Sequence, residues 1–131
     1  MATTLFLAPA GCSLGGDEEP QPATGAPREI GEVVHELERA TARGGFAAIC
    51  RDLFTADARE RAGGPDCARR LRSAAQGVQE PTIQLRTIDL DGERATVRVR
   101  TGARGQASVG AGLVLRREQG EWRIAALRGG G

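Results

Sequence analysis

The sequence predicts an α+β domain: three N-terminal helices packed on a curved four-stranded antiparallel sheet. Three observations carry that prediction. Apolar residues recur at helical spacing between Pro27 and Gln76, the apolar period shifts to two after Pro81, and Asp91-Gly92 and Gln119-Gly120 punctuate the alternating runs. Helices first and strands afterwards point away from an alternating parallel fold. They point to a meander with the helices on one face.

The first helix is read from PREIGEVVHELERATAR, where Ile30, Val33, Val34, Leu37 and Ala40 form one stripe. Pro27 suits its start, and Gly44-Gly45 its stop. GFAAICRDLF follows as a short second helix with Phe46, Ile49, Cys50, Leu53 and Phe54 on one side. Thr55 is placed to cap a further turn, TADARERA. Gly63-Gly64-Pro65 then breaks the chain, and Asp66 is placed to cap the third helix, DCARRLRSAAQ. In TIQLRTIDL a bulge near Thr87-Ile88 would keep Ile83, Leu85, Ile88 and Leu90 on one apolar face. RATVRVRT alternates with Ala95, Val97 and Val99 inward and Arg98 and Arg100 outward. The glycines of GARGQASVGAG fit the bends of a curved sheet, since the phosphate-cradling context of strand, glycine loop and helix is missing. In ASVGAGLVLRRE and EWRIAALR, the inward residues are Val109, Leu113, Leu115, Ile124 and Ala126.

Upstream of the helices the chain divides twice. Residues 1–12, ending LFLAPAGC, read as a residual signal peptide with a lipobox, and Cys12 is the expected acylation site. Ala10 and Gly11 suit the two positions before such a cysteine. Pro9 departs from the usual aliphatic residue, and no basic stretch precedes the apolar one. The expectation is a start codon upstream, with Met1 inside the signal. Residues 13–27, rich in Gly, Pro and acids, read as a tether, and residues 28–131 as the domain.

The remaining cysteines test the compartment. Cys50 and Cys67 fall on inward faces of two consecutive helices, and an oxidising compartment would join them. The competing reading is a cytosolic chain with two buried free thiols. No histidine or paired cysteine completes a metal set, so no metal or other cofactor is expected. The net charge of +1 and the absence of Tyr argue against nucleic-acid binding. All 18 basic residues are arginine, which fits a GC-rich coding bias. The outward strand arginines read as a solvated face, with Glu118 and Glu121 as candidate partners for Arg98 and Arg100.

CRDLFTADARERAGG, the Cys67 that follows it, four strands and the ending GEWRIAAL together resemble the NTF2-like (cystatin-like) superfamily, over about residues 28–128. They are most similar to its small actinobacterial lipoproteins. The resemblance implies helices wrapped on a bent sheet whose concave face forms a pocket. Phe46, Phe54, Val97, Leu113, Trp122 and Ile124 are the expected pocket and core residues. Enzymes of the superfamily place acids, His or Tyr inside the cone, and the inward positions here are aliphatic.

The functional expectation is therefore a non-enzymatic, lipid-anchored domain on the extracytoplasmic face of the cell membrane. It would bind a small apolar ligand, a protein partner or a second copy of itself. Two alternatives stand beside it. One is an enzyme acting on a small hydrophobic substrate, with Asp89, Asp91 or His35 as base. The other is a cytosolic interaction module.

Overall fold

The computed structural model describes residues 25–129. Cys12 and residues 13–24 of the expected tether lie outside them. α1 spans Gly25–Ala42, so residues 25–27 of the expected tether are helical. Pro27 sits in the first turn, where the N–H it lacks would have no intrahelical acceptor. Ile30, Val34 and Ala40 form the buried stripe, flanked by Val33 and Leu37. At the other end Gly44 adopts φ +73. The N–H groups of Gly44 and Gly45 return to the carbonyls of Thr41 and Ala40, which closes the helix.

The second helical stretch begins as α2 (Phe46–Ala48) and widens directly into a π-helical turn over Ile49–Leu53. Phe54 is extended and pairs with Ile124 of the last strand. The side chain of Thr55 then accepts the Ala58 N–H at 3.0 Å and caps α3 (Ala56–Arg61). A 3-10 turn, Gly64–Asp66, leads into α4 (Cys67–Ala74). The helical half thus follows the order read from the sequence, one long helix, a short second helix, the capped turn and a last helix, with π-helical and 3-10 turns added between them. Asp66 does not cap α4. The 3-10 turn already holds it at φ -96, ψ 6, whereas a capping side chain needs an extended backbone. Its carboxylate pairs with Arg69 at 3.0 Å instead. Cys50 and Cys67 are joined as a disulfide that ties the π-helical turn to the start of α4, with Cα atoms 6.2 Å apart.

β1 (Thr82–Asp91), β2 (Arg94–Ala103), β3 (Gln106–Glu118) and β4 (Glu121–Arg128) form an antiparallel sheet in sequence order. Two bulges control which side chains face the helices. In β1 the register passes from Leu85 opposite Val99 to Thr87 opposite Arg98, leaving Arg86 as the extra residue. Ile83, Leu85, Ile88 and Leu90 therefore share the inner face with Ala95, Val97, Val99 and Thr101. The bulge lies just before the position the sequence pointed to. In β4, Leu115 opposes Ile124 and Val114 opposes Ala126, so Ala125 is extra. Ala126 consequently turns outward, against expectation. The simple alternation that placed it inward fails at the added residue.

Inner-face Val97, Leu113, Leu115, Trp122 and Ile124 pack against Ile30, Val34, Phe46, Ile49, Leu53 and Phe54 from the helical half. Polar ties hold the two layers in place. Glu38 of α1 accepts the Ile83 N–H at 2.8 Å. Beside β4, the Thr55 N–H donates to the Ile124 carbonyl at 2.9 Å, and Arg123 donates to the carbonyls of Arg51 and Phe54. These bonds cover an edge that would otherwise offer unpaired backbone groups.

Cys50 and Cys67 stand 17 residues apart. Closing a loop of that length constrains the unfolded chain by about 3 kcal/mol in the chain-entropy account. The Cys50→Ser/Cys67→Ser double variant should lose stability of that order in urea unfolding. Reducing agent should lower the midpoint of the parent but leave that of the variant unmoved.

Candidate functional site

The curved sheet and the helices enclose a cavity of about 430 Å³ at one end of the inner face. Leu37, Phe46, Ile49, Phe54 and Leu71 line it from the helical side, and Ile83, Val99, Ala111, Leu113 and Leu127 from the sheet. Its origin is a gradient of side-chain size along the strands. At the far end, large side chains (Val97, Leu115, Trp122) fill the space under the sheet to exposures of 4% or less. At the near end the facing pair is Val99 and Ala111, followed by Thr101, and the volume stays open. The mouth is apolar too: Val78 and Leu127 line it while 36% and 58% exposed.

The polar groups of the lining are few. The Thr41 hydroxyl is committed to the Leu37 carbonyl at 2.7 Å. That of Thr101 lies 3.5 Å from the Val109 carbonyl. Arg128 and Gly129 contribute where β4 ends. No carboxylate, histidine or thiol lines the cavity among the described residues. Such a space can desolvate an apolar molecule, but its lining offers no group to take up a proton.

Of the residues expected in the pocket and core, Phe46, Phe54 and Leu113 line the cavity. Val97, Trp122 and Ile124 are buried in the filled part of the core. Leu37, Ile49, Leu71, Ile83, Val99, Ala111 and Leu127 also line the cavity and were not singled out as pocket residues. The small Ala111, two residues before the bulky Leu113 and Leu115 on the same face of β3, was the available signal. The candidate bases lie elsewhere. His35 is exposed, its Nδ1 3.7 Å from a carboxylate oxygen of Glu38. Asp89 and Asp91 oppose Thr96 and Arg94 on the outer face of the sheet.

Trp122 occupies the opposite end of the inner face. The Arg117 guanidinium covers its ring at 5.6 Å and reaches Glu29 of α1 at 3.6 Å. The indole N–H is buried with no acceptor among the described residues. Glu32, Glu36, Asp52 and Glu121 surround this end, and each has an arginine: Arg28, Arg39 with Arg43, Arg51 and Arg123. Hydrogen bonds from Arg39 and Arg43 hold the Glu36 carboxyl below its ordinary range, and the Arg51 side chain does the same to Asp52. This acidic rim is neutralised from within.

No protein-family model matches the sequence, and no curated protein does. Solved structures do match. An NTF2-like protein of unknown function from Silicibacter pomeroyi superposes with a TM-score of 0.58 at 18% identity, covering 76% of this chain and 89% of its own. The fold is NTF2-like. A candidate calcium/calmodulin-dependent protein kinase II association domain from Xanthomonas campestris gives 0.59 at 18% identity, over 86% and 92% of the two chains. A de novo designed NTF2-fold protein gives 0.53 at 16% identity, over 79% and 87%. At these identities the correspondence is one of fold, and it says nothing of activity. Among the described residues, the NTF2-like domain gathers no three His, Cys, Asp or Glu side chains that could hold a metal.

The paired Glu36 carries a pH signature. A carboxyl whose pKa is lowered on folding adds stability above its unfolded value, and that stability is lost as pH falls through the folded value. The Glu36→Gln variant should therefore melt below the parent at neutral pH. The gap should close in acid once Glu36 of the parent is protonated, as thermal melts across pH would show.

Proposed function

We propose that the domain is a non-enzymatic binding module of the cell envelope that holds a small apolar ligand in its cavity. The supporting observation is the cavity itself. About 430 Å³ falls within the range of small-molecule sites, which run from about 300 to 1,000 Å³. The lining is aliphatic and aromatic, so the driving force would be desolvation, worth about 25 cal/mol for each Å² of apolar surface buried. An acid–base role would need a titratable group facing the ligand, and His35, Asp89 and Asp91 all lie outside the lining.

We further propose that Cys12 carries a lipid anchor on the extracytoplasmic face of the membrane. Support comes from the small residues before Cys12 and the Gly- and Pro-rich stretch after it. The paired Cys50 and Cys67 suit an oxidising compartment. No described helix is long and apolar enough to cross a membrane. Attachment through Cys12 would rest on acyl chains, and stable attachment takes more than one.

Two experiments test these readings. An environment-sensitive fatty-acid probe should bind the parent and brighten. Ala111→Trp, which fills the open end, should abolish the uptake while the far-ultraviolet dichroism stays unchanged. Uptake that survives this substitution would place the ligand elsewhere. For the anchor, Cys12→Ser in the native host should move the protein from the membrane fraction to the soluble one, and an unchanged distribution would refute it.

A further inference from the structure

The outer face of the sheet carries charge of a different kind. All 18 arginines lie within residues 28–128, whereas three of the 17 acids, Asp17, Glu18 and Glu19, precede the described residues. The folded part therefore has eighteen cations against fourteen carboxylates, and the excess is not spread evenly. Glu29, Glu32 and Glu36 of α1, Asp52 of the π-helical turn and Glu121 of the β3–β4 turn are matched by arginines in ion pairs. On the outer face, Arg94 of β2 sits directly opposite Arg116 of β3, and Arg98 opposes Gly112, which in turn opposes Arg128 of β4. Arg94, Arg116 and Arg128 belong to none of the ion pairs found among the described residues. Arg98 and Arg100 also lack the glutamate partners expected from the sequence. Arg100 bonds to Ser108 at 3.1 Å, Glu121 is taken by Arg123, and Glu118 accepts the Ala56 N–H.

Like charges directly opposite across a sheet are unfavourable, and among the described residues only Asp91, opposite Arg94 on its other side, offsets the Arg94–Arg116 pairing. The arrangement also builds a site. Arg94, Arg116 and Arg128 from the sheet and Arg61 from α3 line one groove of about 500 Å³, together with Asp57. The floor is apolar, formed by Val114, Ala125 and Ala126. Val114 is only 4% exposed although it faces away from the main core, as expected where arginine stems lie across it. Arg61 is steadied by a hydrogen bond to the Ala125 carbonyl. The outward-facing residues of β3 leading to this floor are Gly110 and Gly112, so no side chain walls off the approach.

We propose that this groove binds a multivalent phosphate-type oxyanion, held by Arg94, Arg116 and Arg128 with Arg61 at its edge. Four guanidinium groups against one carboxylate call for at least two negative charges. The forked donors match phosphate oxygens two at a time. The phosphate could be free in solution or the headgroup of an anionic lipid. The groove lies on the outer face of the sheet and shares Arg128 with the rim of the apolar cavity, and its occupation does not depend on an anchor at Cys12.

The test uses the 131-residue chain with Cys12→Ser, so that no attached lipid contributes. Calorimetric titration with pyrophosphate and sedimentation with phosphatidylglycerol vesicles form its two arms. Binding in at least one arm is expected, and it should weaken as salt is added. Arg94→Gln/Arg116→Gln keeps part of the stems over Val114 and removes the charges. It should weaken binding by about tenfold or more, while Arg69→Gln on α4 leaves it unchanged. The double variant removes both the Arg94–Arg116 repulsion and the attraction of Arg94 to Asp91, and its thermal melt, measured alongside, separates lost binding from unfolding. Pyrophosphate binding alone identifies a soluble phosphate compound, and arginine-dependent vesicle binding alone identifies a headgroup. No binding in either arm, or binding that the double variant retains in full, overturns the proposal.

Discussion

Two extra residues, Arg86 in β1 and Ala125 in β4, decide how the rest of this domain is built. A strand places successive side chains on opposite faces, so ten residues of unbroken alternation would send half of the apolar side chains of β1 outward. The bulge at Arg86 restarts the alternation and returns Ile88 and Leu90 to the inner face. The bulge at Ala125 does the same for Leu127 after Ile124. Each bulge also bends its strand and increases the local twist. The helices thus face a concave surface whose two ends differ, one filled by Trp122 and Leu115, the other open above Ala111 and Thr101.

The same curvature separates the chemistry of the two faces. The inner face is almost wholly aliphatic, and its cavity can sequester an apolar molecule. The outer face presents arginines in opposed positions, with glycines and Val114 between them. Around Trp122 every carboxylate has found a guanidinium, so that end is electrically quiet. The cluster of Arg94, Arg116 and Arg128 lies on the outer face, with Arg61 of α3 at its edge. A small apolar ligand and a phosphate-type anion would thus use opposite sides of one sheet, with β3 contributing to both through alternate residues.

Much of the architecture was legible along the chain, for local reasons. The stripe from Ile30 to Ala40, the glycines after α1 and the cap at Thr55 are interactions among residues a few positions apart. The change of period at Pro81 is equally local. The errors arose where two distant segments had to meet. Asp66 was read as a cap because the 3-10 turn before it was not foreseen. Ala126 was placed inward because the bulge at Ala125 has no glycine or proline to mark it. The pocket and core residues were expected as one set, and the structure divides them: Phe46, Phe54 and Leu113 line the cavity, and Val97, Trp122 and Ile124 fill the core. Which inward side chains touch a void depends on how far the helices stand from each part of the sheet.

The sequence by itself determined the order of helices and strands, the inward faces of most elements and the aliphatic character of the interior. All of these follow from periodicity and side-chain type. Only the tertiary structure decided that Cys50 and Cys67 meet, that the small residues of β3 leave an open cavity, and that Arg94, Arg116 and Arg128 share a groove. The reason is physical. Pattern shows which face a residue takes, whereas register, bulges and layer spacing decide its neighbours, and these are set by the packing of the whole domain.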